Sequence, residues 1–145
     1  MTHRNPNNIF IQGAISPSQI GKDIAAHQGK TRIGGHSIFL GQVRADEMQG
    51  QTVRAIEYTA YEAMALDKMH QIREAIFSKY SLVCLHVYHS LGIVASGEIC
   101  LFVFSSSVHR KDAIMATEEI VNNIKSSLPI WGKEIFTNDE YQWKK

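Results

Sequence analysis

Two basic side chains stand where a helix begins. In the run SSSVHR, His109 and Arg110 open a stretch whose apolar spacing predicts a helix from His109 to Leu128. The first N–H groups of a helix lack intrahelical partners, and the helix dipole adds partial positive charge there. Two more cations at that end oppose the dipole by a few tenths to ~1 kcal/mol each, a cost that a bound phosphate or carboxylate offsets. Without such a ligand the pair reads as a capping histidine and a solvated arginine. At the far end of the same helix, KSSLPIWGKE puts Lys125 in the last turn and Lys133 past the Pro129 break. Lysines there are favourable on dipole grounds alone. Arg44 ends a predicted strand just before a polar loop, where a rigid support can aim a side chain at a ligand, and where surface arginines are also common.

Other candidates carry less. His86 and His89 are three residues apart on a predicted strand, which puts them on opposite faces, so the pair does not read as a metal site. Glu118–Glu119 and Asp139–Glu140 have no positioned partner for acid–base work. Cys84 and Cys100 lie inside the apolar runs SLVCLHVYH and GEICLFVF and read as small core residues, not as a disulfide. There is no glycine-rich phosphate loop, no Ser-His-Asp order and no nucleophile elbow.

The elements that must position these residues follow from periodicity. Ile9–Ser16 alternates as a strand, and Ser16 with Pro17 opens a short helix reaching about His27. His36–Arg44 and Val53–Tyr61 predict strands joined by the loop ADEMQGQ, which is expected to be mobile. From Glu62 to Tyr80, Ala65, Met69, Ile72 and Ile76 recur at helical spacing. Leu82–His89 and Glu98–Phe104 predict strands around a turn region at Gly92 and Gly97, the second apolar enough to be covered on both faces near the sheet centre. WGKEIF and EYQW read as closing strands. Neighbouring strands joined by short connections favour an α+β class, a mixed, largely antiparallel sheet with two long helices packed on it.

Composition narrows the rest. The 145 residues are 44% hydrophobic and 20% charged, as expected for one domain over residues 1–145 with a real core. A formal charge of +1 gives no whole-molecule field for nucleic acid or an anionic membrane, so any anion site is local. The polar start MTHRNPNN lacks the apolar stretch of a secretory signal, and no run approaches a membrane span, so a cytoplasmic protein is expected.

Six pieces occur together in order: FLGQVR (Phe39 to Arg44), EYTAYEAMA (Glu57 to Ala65), His89 to Gly92, Gly97–Glu98, SSSVHR and IKSSLPIWGKE. In this spacing, from about Gly35 to Trp143, the chain resembles the large, catalytic subunit of molybdopterin synthase. The resemblance implies an α/β-hammerhead-like fold and a sulfurtransferase of molybdenum cofactor biosynthesis with no metal and no cofactor. It implies a homodimer, each copy binding a small ubiquitin-like sulfur carrier whose C-terminal Gly-Gly bears a thiocarboxylate. Two sulfur transfers would convert cyclic pyranopterin monophosphate into the molybdopterin dithiolene. Carried over by motif, Arg44, His109 and Arg110 would bind the substrate and Phe39 would shape the pocket wall. Lys125 would stand beside the thiocarboxylate, with Lys133 as a second catalytic lysine.

Clustered cations would remove the repulsion between thiocarboxylate and phosphate, which costs several kcal/mol in a partly desolvated pocket. Arg110 and Lys125, however, are fifteen residues apart on one predicted helix, about 22 Å at helical rise. If both serve one pocket, two copies of the chain must build it. The chain departs from many relatives at Gly132, where they carry lysine, leaving Lys133 one position along, and at Ser90, where they carry arginine. Two other functions remain open at this level. One is a non-catalytic adaptor for a ubiquitin-like tail, favoured by Gly132; the other is a nucleic-acid binder using His109, Arg110, Lys144 and Lys145, disfavoured by the near-neutral charge.

Overall fold

The two apolar periods of the sequence separate in space into one sheet and the helices that cover it. The computed structural model describes residues 8–144; Lys145 and residues 1–7, most of the stretch in which no secretory signal is expected, lie outside the described residues. The strands are β1 (Phe10–Gln12), β2 (Gly35–Gln42), β3 (Glu47–Met48), β4 (Gln51–Ala60), β5 (Cys84–Ala95), β6 (Ile99–Ser107), β7 (Ile130–Phe136) and β8 (Tyr141–Trp143). The helices are α1 (Pro17–Ala26), α2 (Glu62–Lys79) and α3 (Arg110–Ser127). Strand order is β2-β6-β5-β4-β7-β8, with β3 paired to β4 and β1 to β5. Among the described residues only the β1–β5 pairing is parallel, so the sheet is mixed and largely antiparallel, the α+β class expected.

β6 carries the packing on both faces. Leu101 and Val103 point to the side of α2 and α3, where Met69, Ile72, Ile76, Ala116, Ile120 and Ile124 close the larger core. Phe102 and Phe104 point the other way, onto Ile15 and Ile20 beside α1. Both phenylalanines are fully buried, which stabilises by about 1.5–3 kcal/mol each. A strand buried on both faces has to be continuously apolar, which is how GEICLFVF reads. β6 is an interior strand, second from the β2 edge.

Two expectations about connections change. The ADEMQGQ loop contains β3, which folds onto β4 through Gln49 (φ 52°) and Gly50 (φ 78°). Two positive-φ residues match the right-handed strand twist, which favours a tight hairpin here. β5 also runs straight through the expected turn at Gly92, whose φ is +80°. Its first half pairs with β6 up to His89, and its second half pairs with β4 from Gly92 onward. Gly92 is thus the point at which one strand changes neighbours, a local bend that glycine makes without steric cost.

The start of α3 is held by a close approach. Gly34 donates to the Ser107 carbonyl at 3.0 Å, and a Cβ at Gly34 would lie 2.0 Å from the Val108 carbonyl oxygen. Ser107 Oγ accepts from the Ala113 amide at 3.1 Å, capping the first turn from inside. We expect Gly34→Ala to lower stability by about 1–3 kcal/mol through this clash, read as a lower urea midpoint; an unchanged midpoint would show that the backbones separate freely.

Candidate functional site

A cavity of about 180 Å³ lies at the C-terminal end of α3. Arg44, Tyr58, His89, Lys125, Glu134 and Lys144 line it, together with the bare backbone of Gly132. Arg44 follows the end of β2 and is exposed, pairing with Asp46 at 3.3 Å. Such a surface pair holds at ~0.2–1 kcal/mol, so a bound anion can draw Arg44 away. Lys125 sits in the last turn of α3, exposed, and forms no ion pair among the described residues.

Beneath these cations the lining includes His89, Tyr58 and the buried Glu134. His89 Nδ1 lies 2.7 Å from the Ser90 carbonyl oxygen; a carbonyl only accepts, so Nδ1 carries the hydrogen and Nε2 keeps its lone pair. Burial pushes the His89 pKa below the ordinary imidazole value, the nearby Lys125 charge adds to that, and the bond to Ser90 opposes it. The Tyr58 ring stands edge-on to His89 at 5.1 Å. Burial, a hydrogen bond with Cys100 and the Glu134 carboxylate raise the Tyr58 phenol beyond its usual range, so it stays a proton donor. Glu134 is buried and accepts from Gln142 Nε2 at 3.1 Å. The arrangement attracts an anion at its mouth and offers a neutral acceptor and a neutral donor inside.

The structure distributes the candidate residues unequally. Arg44 and Lys125 come together, as FLGQVR and the last turn of the helix converge across the sheet. His109 and Arg110 line a separate, open groove of about 640 Å³ at the other end of α3, with Gly34, Val108, Ile114 and Met115. His109 occupies the N-cap but makes no side-chain capping bond. Phe39 is half-buried against the larger core and adjoins Gly41, which does line the Lys125 cavity. His86 and His89 face opposite sides of β5, as their spacing requires: His86 meets His27, and His89 meets Tyr58.

Lys133 points away from the cavity. Along β7, Gly132 and Glu134 face it, so Lys133 falls on the other side, 3.2 Å from Glu57 and over the rings of Tyr141 (4.7 Å) and Trp143 (6.0 Å). A Cβ at Gly132 would lie 3.1 Å from Ile56 and 3.4 Å from the Tyr58 ring. The lysine that lines the cavity beside this glycine is Lys144, whose backbone N–H donates to the Gly132 carbonyl at 2.8 Å. Sequence reasoning missed Lys144, Tyr58 and Glu134 as lining residues. Lys144 owes its place to the β7–β8 register, and Glu134 was visible only as the last letter of a pattern.

Residues 13–127 match the family model described as MoaE protein. The chain belongs to the MoaE family. A molybdopterin synthase catalytic subunit 1 from Aedes aegypti is 36% identical over 125 residues, 84% of this chain and 78% of that protein. One from Oryza sativa subsp. indica is 38% identical over 125 residues, 84% of this chain and 64% of that protein. The archaeal counterpart from Pyrococcus abyssi is 35% identical over 108 residues, 74% of this chain and 72% of that protein. Among solved structures, molybdopterin synthase from Staphylococcus aureus superposes with a TM-score of 0.80 at 29% identity, covering 99% of both chains. The complex of subunits 1 and 2 of molybdopterin-converting factor from Helicobacter pylori shares the fold, with a TM-score of 0.79 at 24% identity over 94% of this chain and 88% of that one. The MoaE match takes in Phe39, Arg44, His109, Arg110 and Lys125 and stops before Gly132, Lys133 and Lys144.

A buried neutral histidine also ties stability to pH. The folded-state pKa of His89 lies below its unfolded value, so the unfolded chain binds the proton more readily. The stabilisation is therefore complete above about pH 6.5 and is lost as pH falls below it. His86 is shifted the same way. Melting temperatures at pH 7.5 and 5.5 should show wild type losing stability at the lower pH and His89→Gln losing less; equal pH dependence in the two would mean His89 is charged when folded.

Proposed function

We propose that this MoaE-family chain is the catalytic subunit of a molybdopterin synthase, moving sulfur from a small carrier's C-terminal thiocarboxylate to cyclic pyranopterin monophosphate. The observation that carries this reading is the cavity in which Lys125, Arg44 and Lys144 stand over neutral His89 and Tyr58. Thiocarboxylate and cyclic phosphate are both anions, and their approach needs cations that are already in place. Lys125 neutralises the incoming tail and serves in proton transfer as the cyclic phosphate opens. Lys144 supplies the second amine at the glycine where many relatives carry lysine, and Lys133 supports the strand pair from the opposite face.

The small partner fits the same chemistry: a flexible Gly-Gly end is narrow enough for a cavity of about 180 Å³. The Helicobacter pylori relative of this fold forms a complex of two subunits by its title. α3 holds Arg110 and Lys125 too far apart for one small substrate, about 22 Å along the helix axis. The working unit is therefore a homodimer in which His109 and Arg110 of one chain complete the Lys125 cavity of the other. With two carriers bound it is a heterotetramer. Among the described residues no helix is long and apolar enough to cross a membrane, and the cytoplasm is the proposed place of work.

The test combines purified chain, thiocarboxylated carrier and cyclic substrate, with dithiolene product read by mass spectrometry. Lys125→Ala should lose at least ~100-fold in rate, Lys144→Ala about tenfold, and Lys133→Ala little beyond any loss of stability. Folded wild type that binds the carrier yet forms no product would identify a non-catalytic adaptor instead.

Mixing separates the one-chain and two-chain pockets. Lys125→Ala and Arg110→Ala chains, each inactive alone, should regain about a quarter of wild-type activity after subunit exchange, because half the dimers are mixed and each holds one intact pocket. No recovery after demonstrated exchange would place both residues' work within one chain.

A further inference from the structure

On the opposite face of the sheet from the Lys125 cavity, three ligand-type side chains converge where neither the family motifs nor the proposed reaction uses them. Cys84 and His86 are two residues apart on β5 and so share a face. His27, at the C-cap of α1, comes down over them. The Cys84 sulfur and one ring nitrogen from each histidine all lie within 4.8 Å of one another, and the two Nε2 atoms are 2.9 Å apart. Cys84 and His27 are buried and His86 is half-buried.

The surroundings orient His27 toward the cluster. His27 Nδ1 lies 2.6 Å from the Asp23 carbonyl oxygen. That oxygen can only accept, so the hydrogen is on Nδ1 and the Nε2 lone pair faces the cluster, as second-shell bonds orient metal-bound histidines. With His27 Nε2 accepting, His86 Nε2 carries the hydrogen of their 2.9 Å contact, and a metal enters as that hydrogen moves to His86 Nδ1. Lys30 Nζ lies 2.9 Å from Cys84 Sγ, so the sulfur already faces a cationic group. Nearby on α1, Asp23 Oδ2 is buried without a hydrogen-bond partner among the described residues. A buried carboxylate oxygen is costly unless something positive meets it.

We propose that His27, Cys84 and His86 form a binding site for a borderline-soft divalent metal, zinc fitting best, with the fourth tetrahedral position left to water. Zinc bonds of about 2.0–2.1 Å to nitrogen and 2.3 Å to sulfur require separations of about 3.3 Å between the nitrogens and about 3.6 Å from nitrogen to sulfur. The histidines open by about 0.4 Å and the sulfur closes by up to about 1.2 Å, adjustments within side-chain rotation. Lys30, whose residue is exposed, swings to solvent. Cys84 binds as the thiolate, its proton released to solvent, and offsets one of the ion's two charges. The ion ties the end of α1 to the first residues of β5, where β6 is the only strand paired with β5.

Cobalt(II) reports such a site directly. Titration of the reduced full chain should give thiolate-to-cobalt charge transfer in the near ultraviolet and tetrahedral d–d bands, saturating at one equivalent and displaced by zinc. Cys84→Ser should abolish the charge transfer, and His86→Gln should weaken binding at least about tenfold. Cys100→Ser should leave both intact. X-ray absorption of the zinc-loaded wild type should show one sulfur and two imidazole nitrogens, a reading independent of whether any variant folds. A wild type without charge transfer, a zinc shell without sulfur, or a band that survives Cys84→Ser overturns the proposal and leaves a hydrogen-bonded polar cluster.

Discussion

One stripe of α3 decides where this molecule can meet an anion. Ala113, Ala116, Ile120 and Ile124 are buried against the sheet, which lays the helix along β6 and β2 and fixes both of its ends. Helical rise then does the rest: the basic N-terminus and the lysine of the last turn cannot approach each other within a chain. The small residues matter as much as the large ones. Ala113 and Ala116 let the helix lie close enough for Ser105 Oγ to donate to the Ala113 carbonyl at 2.8 Å and to accept from Thr117 Oγ1 at 2.6 Å. A buried polar row beneath a helix is tolerable because each hydroxyl in it is satisfied.

The two faces of the sheet divide the chemistry. On the side of α2 and α3, β5 presents His89 to a cavity whose mouth is cationic. On the side of α1, the same strand presents Cys84 and His86 to His27. The alternation of a single strand, period two, thus supplies ligand-type residues to two unrelated environments. The parity of β7 acts in the same way, sending Glu134 inward and Lys133 outward to Glu57 and the aromatic rings. The lysine one position away in sequence is on the wrong face, whereas the one twelve residues later, past the end of β8, bonds the glycine through its backbone. Strand pairing brings it there.

Much of the fold was legible in the residues. Ser16 and Pro17 announced α1, and Ser16 Oγ does accept from the Ser18 amide at 3.1 Å. The apolar spacing of α2 and α3, the two-faced burial of β6 and the closing strands β7 and β8 all followed from local periodicity, because burial of a repeated face dictates a helix or strand wherever it lies. The family was legible too, since the spacing of short basic and aromatic motifs survives in sequence. So was the separation of Arg110 from Lys125, which needs only the rise of a helix.

Tertiary structure alone decided the rest. Whether Gly92 turns the chain or bends a strand depends on β4 being available as a second partner for β5, and nothing local to Gly92 encodes that. The tight Gln49–Gly50 hairpin depends likewise on β3 finding β4. The lining of the Lys125 cavity by Tyr58, Glu134 and Lys144, and the meeting of His27 with Cys84 and His86, join residues from elements far apart in sequence. Periodicity reports which face a side chain takes on its own element; which foreign side chain it meets there is set by sheet order and register, quantities that belong to the whole folded chain.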